Sequence, residues 1–377
     1  MIIALDQAIP YWREAFSELG EIRNFAAKDL KPDNIRNADA LIVRSVTPIQ
    51  APLLDGSSVR FVAAASAGID HIDQEYLKKR GIAFGYAAGC NANSVSEHIL
   101  TALHVIAERR EWVLKDKSLA VIGVGHVGSR VARKARAVGM QVLLCDPPLR
   151  DLAGDERYLP FSKVLEADIL TFHVPLTCDG PYPTMHLLDR KILERLTPGQ
   201  FVINTSRGGV FDNQELKRAL QERTIGGATL DVWEGEPRID YALLERVDIG
   251  TPHLAGTSLD GKIKATEMVR DEFCRFFGMK PSANMNALYP GIKPVHPEMR
   301  TADQDAVLSV LRQVLDIPGN DADLRALKSL PEKQAAESFE RLRTGCTLRP
   351  EFHHFVVQLT EPHRDLAKTF AGLGFEL

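Results

Sequence analysis

Short apolar runs alternate with helix-period stretches along most of this chain. Ile2 to Leu5, Ala40 to Val43, Phe61 to Ala65 and Ile82 to Phe84 are apolar without interruption by charge, as strands buried on both faces are. Trp12 to Leu19 and Gln74 to Lys79 fall between them with helical spacing. From about Asn93 to Glu111, Val95, Ile99, Leu103 and Ile106 share one face of an expected helix. A second series of strands is expected at Leu119 to Ile122, Gln141 to Cys145, Ile169 to His173, Phe201 to Thr205, Ala228 to Val232 and Val247 to Gly250. Strands alternating with helices predict parallel sheets covered on both faces.

Around Pro252 the pattern changes. A helix from about Leu259 to Phe277 is expected to return and pack on the first series. A connection rich in Pro and Asn, Lys280 to Pro297, leads into a different region. There the spacing predicts helices near Ala302 to Leu315 and Glu332 to Arg343, a strand from Phe352 to Leu359 and a last helix from about Glu361 to Leu373. Phe355, Val357 and Leu359 alternate, so that strand has one apolar face, for its own core or for a partner.

The most specific stretch is Leu119-Ala120-Val121-Ile122-Gly123-Val124-Gly125-His126-Val127-Gly128. An apolar strand feeds a G-x-G-x-x-G loop, and Val127, Val131, Ala135 and Val138 mark the helix that follows. Gly139 stops that helix, and a second strand ends in Asp146. The first glycine permits the turn, the second lets backbone N–H groups approach a pyrophosphate, and the third lets helix pack on strand. An acid about 20 residues downstream accepts hydrogen bonds from ribose hydroxyls and repels a 2′-phosphate, which favours NAD over NADP. Arg150 lies close enough to argue the other way, but Pro147 and Pro148 intervene.

The expected fold is therefore α/β: two doubly wound, Rossmann-like parallel-sheet domains with a central cleft, plus a small C-terminal α+β domain. Residues 1–93 and 255–285 form a discontinuous, flavodoxin-like substrate domain. Residues 94–254 form the NAD-binding domain with its hinge helix, and 286–377 form the C-terminal domain. Length agrees, since 377 residues suffice for two or three cores. With 46 basic and 50 acidic residues, the net charge of −4 attracts neither nucleic acid nor an anionic membrane. Met1 to Asp6 lacks the basic and long apolar regions of a secretory signal, and no run reaches membrane-spanning length. Five cysteines without C-x-x-C spacing indicate neither a zinc site nor a disulfide framework, so a reducing cytoplasm and no metal are expected.

Three strand-end clusters could do chemistry. They are Asn204-Thr205-Ser206-Arg207-Gly208-Gly209, Asp231-Val232-Trp233-Glu234-Gly235-Glu236-Pro237 and Thr251-Pro252-His253-Leu254-Ala255-Gly256. Oxidising a 2-hydroxy acid needs a base for the hydroxyl proton, and His253 suits it. It needs a carboxylate to orient that ring, for which Glu236 is the candidate. It needs a planar cation for the substrate carboxylate, for which Arg207 is the candidate. Taken singly, each has a plainer reading: a buried histidine, a turn cap, a surface cation. Arg44 and Ser45 follow a strand and offer a guanidinium, a hydroxyl and backbone N–H groups to a phosphate or carboxylate; a surface ion pair is the alternative.

These residues carry a resemblance. GVGHVG, HVPL at His173 to Leu176, NTSRGG, DVWEGEP and TPHLAG resemble the D-isomer-specific 2-hydroxyacid dehydrogenases over roughly residues 40 to 275. Val43 to Thr47, Gly89 to Ala92, Asp179 to Pro181, His186 to Leu188 and Gly208 to Asn213 are similar to the branch of that family acting on erythronate 4-phosphate. The resemblance implies NAD-dependent oxidation of 4-phospho-D-erythronate to (R)-3-hydroxy-2-oxo-4-phosphobutanoate, a step of vitamin B6 biosynthesis. It implies catalytic roles for Arg207, Glu236 and His253. It implies cofactor contacts from the glycine loop (Gly123, Gly125, His126, Val127, Gly128) and from Asp146, His173, Val174, Thr205, Asp231 and Gly256. Ser45 and Ser66 fall at substrate-contacting positions, Thr257 at another, with Arg44 beside them as the phosphate candidate read from the strand end, and the C-terminal layout implies a homodimer.

The chain also departs from that branch. Thr257 stands where a substrate-contacting Tyr is usual, Ser66 and Val174 each stand for Thr, Ala88 for Pro, and Gln7-Ala8 for Glu-Asn. The Thr257 departure leaves room for another acid, such as phosphoglycerate or glycerate. A reading of another class is a non-catalytic, NAD-sensing interaction protein, against which the intact Arg207, Glu236 and His253 count.

Overall fold

In the computed structural model the apolar runs pair into two parallel sheets and a small two-stranded one. The structure describes residues 1–281, 284–298, 302–345, 347–360 and 363–377. Contacts group the chain into two compact units, Met1–Asn91 with Ser258–Pro290, and Ala92–Thr257 with Gly291–Leu377.

The first unit holds β1 (Ile2–Asp6), β2 (Glu21–Phe25), β3 (Ala40–Val43), β4 (Phe61–Ala64) and β5 (Ala83–Tyr86), in the order β2-β1-β3-β4-β5. β3 and β4 are buried at every residue, as their uninterrupted apolar sequences require. The helix Leu259–Phe277 belongs to this unit. Its Ile263, Val269 and Phe273 are fully buried against Ile3, Phe16 and Phe61. Phe273 meets the Phe16 and Phe61 rings edge-on at 5.8 and 6.0 Å, and burying that side chain contributes roughly 2–3 kcal/mol.

β2 was not legible in the pattern. Its sequence, Glu-Ile-Arg-Asn-Phe, is polar because β2 is an edge strand with only Phe25 buried. The helix expected over Trp12 to Leu19 is shorter, Trp12–Phe16, because the chain must turn back in time to enter β2.

The second unit holds β6 (Ser118–Ile122), β7 (Gln141–Cys145), β8 (Ile169–Phe172), β9 (Phe201–Asn204), β10 (Gly227–Leu230) and β11 (Ile249–Gly250). Their order is β11-β10-β9-β8-β6-β7. The order reverses beside β6, so the crevice outside the carboxyl ends of β6 and β8 is where a doubly wound sheet takes its ligand. The helix Ala92–Arg110 was expected to be amphipathic; instead it is buried on nearly every side from Ser94 to Ala107.

The reason is the C-terminal segment. Phe352, Phe355, Phe370 and Phe375 enter the same core as Val95, Ile99 and Leu103 of that helix. The expected strand from Phe352 to Leu359 is a short 3-10 turn, Phe352–His354, followed by β13 (Phe355–Val357), which pairs in parallel with β12 (Lys293–Val295). The alternating Phe355 and Val357 point into this core, so that face serves the chain itself. An additional helix, Ile317–Ala326, begins at Asp316, whose carboxylate caps Gly319 N–H. Its Asp321 accepts Gly250 N–H at 2.7 Å, which covers the edge strand β11. The last helix is Ala367–Leu373; residues 361–362, where it was expected to start, and Cys346 lie outside the described residues. Among the described residues, no helix is long and apolar enough to cross a membrane.

Candidate active site

The glycine loop lies between β6 and the helix His126–Ala137. Gly123 has φ +85°, and a Cβ there would come within 2.7 Å of the His173 backbone and 2.9 Å of Val174 Cγ1. A Cβ on Gly128 would stand 1.9 Å from Gly123 O, so helix and loop touch only because position 128 has no side chain. A Cβ on Gly125 would meet nothing within 4 Å. The first and last glycines are thus demanded by the fold, while the middle one leaves open space at a helix start.

That helix start has no capping side chain, and Gly125 and His126 are exposed. Its leading N–H groups have no side-chain cap, which suits a pyrophosphate. Asp146 ends the neighbouring strand. Its Oδ2 accepts Val124 N–H at 2.7 Å and its Oδ1 accepts Leu149 N–H at 3.0 Å, so it braces the loop and caps the helix Pro147–Ala153. A carboxylate has further acceptor capacity for ribose hydroxyls.

At the ends of β8 and β9 two buried polar atoms lack a protein partner: His173 Nδ1 and Thr205 Oγ1. His173 Nε2 is 3.0 Å from Thr171 Oγ1, and burial pushes the imidazole down to about 3, which keeps it neutral. Buried polar atoms are rarely left unsatisfied, and a bound dinucleotide is a natural partner. Open glycine, uncapped helix and orphaned polar atoms together fit NAD.

Arg207 follows β9 on a braced turn. Asn204 Oδ1 accepts Ser206 N–H and Oγ–H at 3.0 and 2.8 Å, and Asn204 Nδ2 donates to Arg207 O at 2.9 Å. Arg207 Nη1 donates to Ser206 O at 2.8 Å. Next to it, a Cβ on Gly208 would lie 2.1 Å from the Trp233 carbonyl, so this turn is pressed onto the next cluster.

In that cluster Glu236 Oε1 accepts Trp233 N–H at 2.8 Å, and Oε2 lies 2.8 Å from His253 Nδ1. The two side chains are 16% and 34% exposed, so the pair is partly shielded while the imidazole stays accessible. His253 has φ +56°, uncommon for a residue with a side chain, and its N–H donates to Asp231 O at 2.7 Å. Asp231 is 1% exposed. Its Oδ1 accepts Thr251 Oγ–H at 2.6 Å and Leu254 N–H at 2.7 Å, and its Oδ2 accepts Ala255 N–H at 3.0 Å. Asp231 therefore binds the loop on both sides of His253. Gly256 follows, and Thr257 N–H closes the turn onto Leu254 O at 2.8 Å.

The remaining expected residues belong to the first unit. Arg44 Nε is 2.8 Å from Asp6 Oδ2, and Asp6 is fully buried at the end of β1. Ser45 is exposed, and Ser66 Oγ donates to Gly68 O at 2.8 Å. Sequence reasoning missed Asp6 and the loop-binding part of Asp231. An acid closing an apolar strand was the available signal for Asp6, as it was for Asp146. A further pair was also missed: His186 Nε2 is 2.6 Å from Glu234 Oε1, while Glu234 Oε2 accepts Asn213 N–H at 2.9 Å.

The chain is similar to known proteins along its length. Residues 97–255 match the model for the D-isomer specific 2-hydroxyacid dehydrogenase NAD binding domain. Erythronate-4-phosphate dehydrogenase of Yersinia enterocolitica is 41% identical over 379 residues, covering 100% of this chain and 99% of that protein. The enzyme of the same description from Salmonella newport is 40% identical over 381 residues, covering 100% and 98%. Among solved structures, D-lactate dehydrogenase from Aquifex aeolicus, complexed with NAD and lactic acid, is similar with a TM-score of 0.62 and 26% identity. That match covers 74% of this chain and 96% of the other.

Proposed function

Because this chain belongs to the erythronate-4-phosphate dehydrogenases, a family of NAD-dependent 2-hydroxyacid oxidoreductases, we propose that it oxidises 4-phospho-D-erythronate to (R)-3-hydroxy-2-oxo-4-phosphobutanoate. The observation that carries the reading is the His253 Nδ1 to Glu236 Oε2 contact of 2.8 Å, on strand-end loops of an NAD-binding domain. With Nδ1–H donated to Glu236, His253 Nε2 keeps a lone pair and can take the C2 hydroxyl proton. Glu236 then stabilises the imidazolium that forms. Bound NAD supplies the acceptor for the hydride leaving C2. Arg207 pairs with the substrate carboxylate and polarises the C2 oxygen as it becomes a carbonyl.

In the same proposal Arg44, oriented by Asp6, and the hydroxyls of Ser45 and Ser66 serve the phosphorylated substrate, with Thr257 close to it. Residues 1–93 and 255–285 are the substrate domain, 94–254 the NAD domain, and 286–377 the region through which a homodimer forms. The site's test is NADH formation with 4-phospho-D-erythronate against 3-phosphoglycerate and glycerate. A higher kcat/KM for 4-phospho-D-erythronate is expected, and a preference for either other acid overturns the assignment. For the dimer, a monomeric mass at micromolar concentration refutes it.

A further inference from the structure

The helix Ala92–Arg110 buries Glu97, which is 1% exposed. Its charge is met by the C-terminal segment: Arg349 Nη1 lies 2.6 Å from Glu97 Oε2, with side chains 12% and 2% exposed. Glu97 Oε1 accepts Phe352 N–H at 2.9 Å, so both carboxylate oxygens are satisfied from that segment. A buried carboxylate without such partners would be costly.

Arg349 also reaches further. Its Nη2 donates to Ser94 O and Ser94 Oγ, both at 3.3 Å. Ser94 Oγ in turn donates to Ala255 O at 2.8 Å. Ala255 lies two residues beyond His253, in the loop that Asp231 binds, with Trp233 Nε1 on Thr251 O at 3.0 Å and Glu236 on His253 as further polar contacts. Asp231, Trp233 and Glu236 hold the loop from the segment after β10, and Ser94 with Arg349 holds it from the helix Ala92–Arg110.

Ala255 is itself 2% exposed and packed in the core, so burial and the Ser94 hydrogen bond act on it together. A cavity of about 360 Å3 lies against the same loop, lined among others by His98, Leu254, Ala255, Thr257 and Arg349. The left-handed backbone of His253 is held by its N–H bond to Asp231 O at 2.7 Å.

Resting on the function proposed above, we propose that Arg349 is a positioning residue for the general base: through Ser94 and Ala255 it holds the loop that aims His253. The C-terminal segment thereby contributes to turnover within one chain, whatever its part in assembly.

The test compares Arg349→Met, Arg349→Lys, the double variant Glu97→Gln/Arg349→Met and Ser94→Ala with the full-length wild type. Expected for Arg349→Met is a kcat loss of about tenfold or more, because small misplacements of a reacting group are that costly, with KM and NADH affinity within about threefold. Arg349→Lys should recover part of the loss. Ser94→Ala keeps the ion pair and cuts only the link to Ala255, and should lower kcat severalfold. Hydrogen exchange in the peptide spanning His253 to Thr257 should accelerate in both Arg349→Met and Ser94→Ala, a readout that needs no turnover.

Wild-type kcat and wild-type exchange in Ser94→Ala overturn the proposal. So does a kcat loss in Arg349→Met matched by an equal loss of NADH affinity, or by no change in loop exchange. If single arginine variants do not fold, the double variant and Ser94→Ala decide. Failure of the substrate assignment would show in the wild type, and the variants would then be compared on the acid it does oxidise.

Discussion

Replacing Glu236 by Gln tests the hydride-transfer reading at its most geometric point. Glu236 uses both oxygens: one accepts Trp233 N–H at 2.8 Å and the other faces His253 Nδ1 at 2.8 Å. Glutamine has one acceptor oxygen and one donor nitrogen, so it cannot satisfy both. If its oxygen keeps Trp233, its NH2 faces His253, and the ring must move its proton to Nε2, the atom that should receive the substrate proton. If the amide flips, two N–H groups confront each other at Trp233, which costs about 1–3 kcal/mol. Either way the charge opposite the imidazolium is lost. A charge-assisted bond contributes about 1.5–3 kcal/mol, and the pair's exposures of 16% and 34% reduce this through solvent screening. About 2 kcal/mol remains, equivalent to roughly 30-fold in kcat, with the wrong tautomer adding to the loss. Steady-state NADH formation measures it, with NADH affinity expected to stay unchanged. A Glu236→Gln enzyme within about threefold of wild-type kcat, a difference under about 1 kcal/mol, would refute the orienting role.

Gly123→Ala and Gly125→Ala should separate. At Gly123 the φ of +85° and the 2.7 Å approach to His173 should together cost about 2–4 kcal/mol of stability. At Gly125, where a Cβ meets nothing, melting should be unchanged while NAD affinity falls; equal melting of the two variants would contradict the division. Asp146→Arg should raise the NADP to NAD ratio in kcat/KM, and should also lower stability by about 1–2 kcal/mol through the lost bonds to Val124 and Leu149. An unmoved ratio would contradict the cofactor role. Lys134, 1% exposed, is pushed down by burial to about 8 from 10.5. Between those values the unfolded chain binds the proton that the folded chain has released, so stability should rise with pH there, by up to about 3 kcal/mol. Urea unfolding at pH 7.5 and 10 should show the rise in the wild type and not in Lys134→Met.

Much of the candidate site is legible in the chain, because its residues follow local rules. Gly123 must be glycine for a torsion within its own turn, and Asp146 ends a strand whose length the apolar run sets. Arg207, Glu236 and His253 each follow a buried strand, so a shared sheet carries them toward one end. What escaped were positions whose role depends on partners distant in sequence. Asp6 holds Arg44 only once β1 and β3 are neighbours. β2 is polar because an edge strand buries one residue in five, which no apolar pattern reveals.

Torsional sterics and hydrophobic period act over a few residues, so the kind of fold, the nucleotide loop and the chemical identities at the strand ends are already written in the chain. How those groups are aimed depends on contacts between distant parts of the folded chain. The Glu236–His253 pair, the grip of Asp231 on the loop, and the path from Arg349 through Ser94 to Ala255 each join distant positions. Hydrogen bonds require about 3 Å and a defined direction, and only the folded chain brings residues 94, 255 and 349 within that reach.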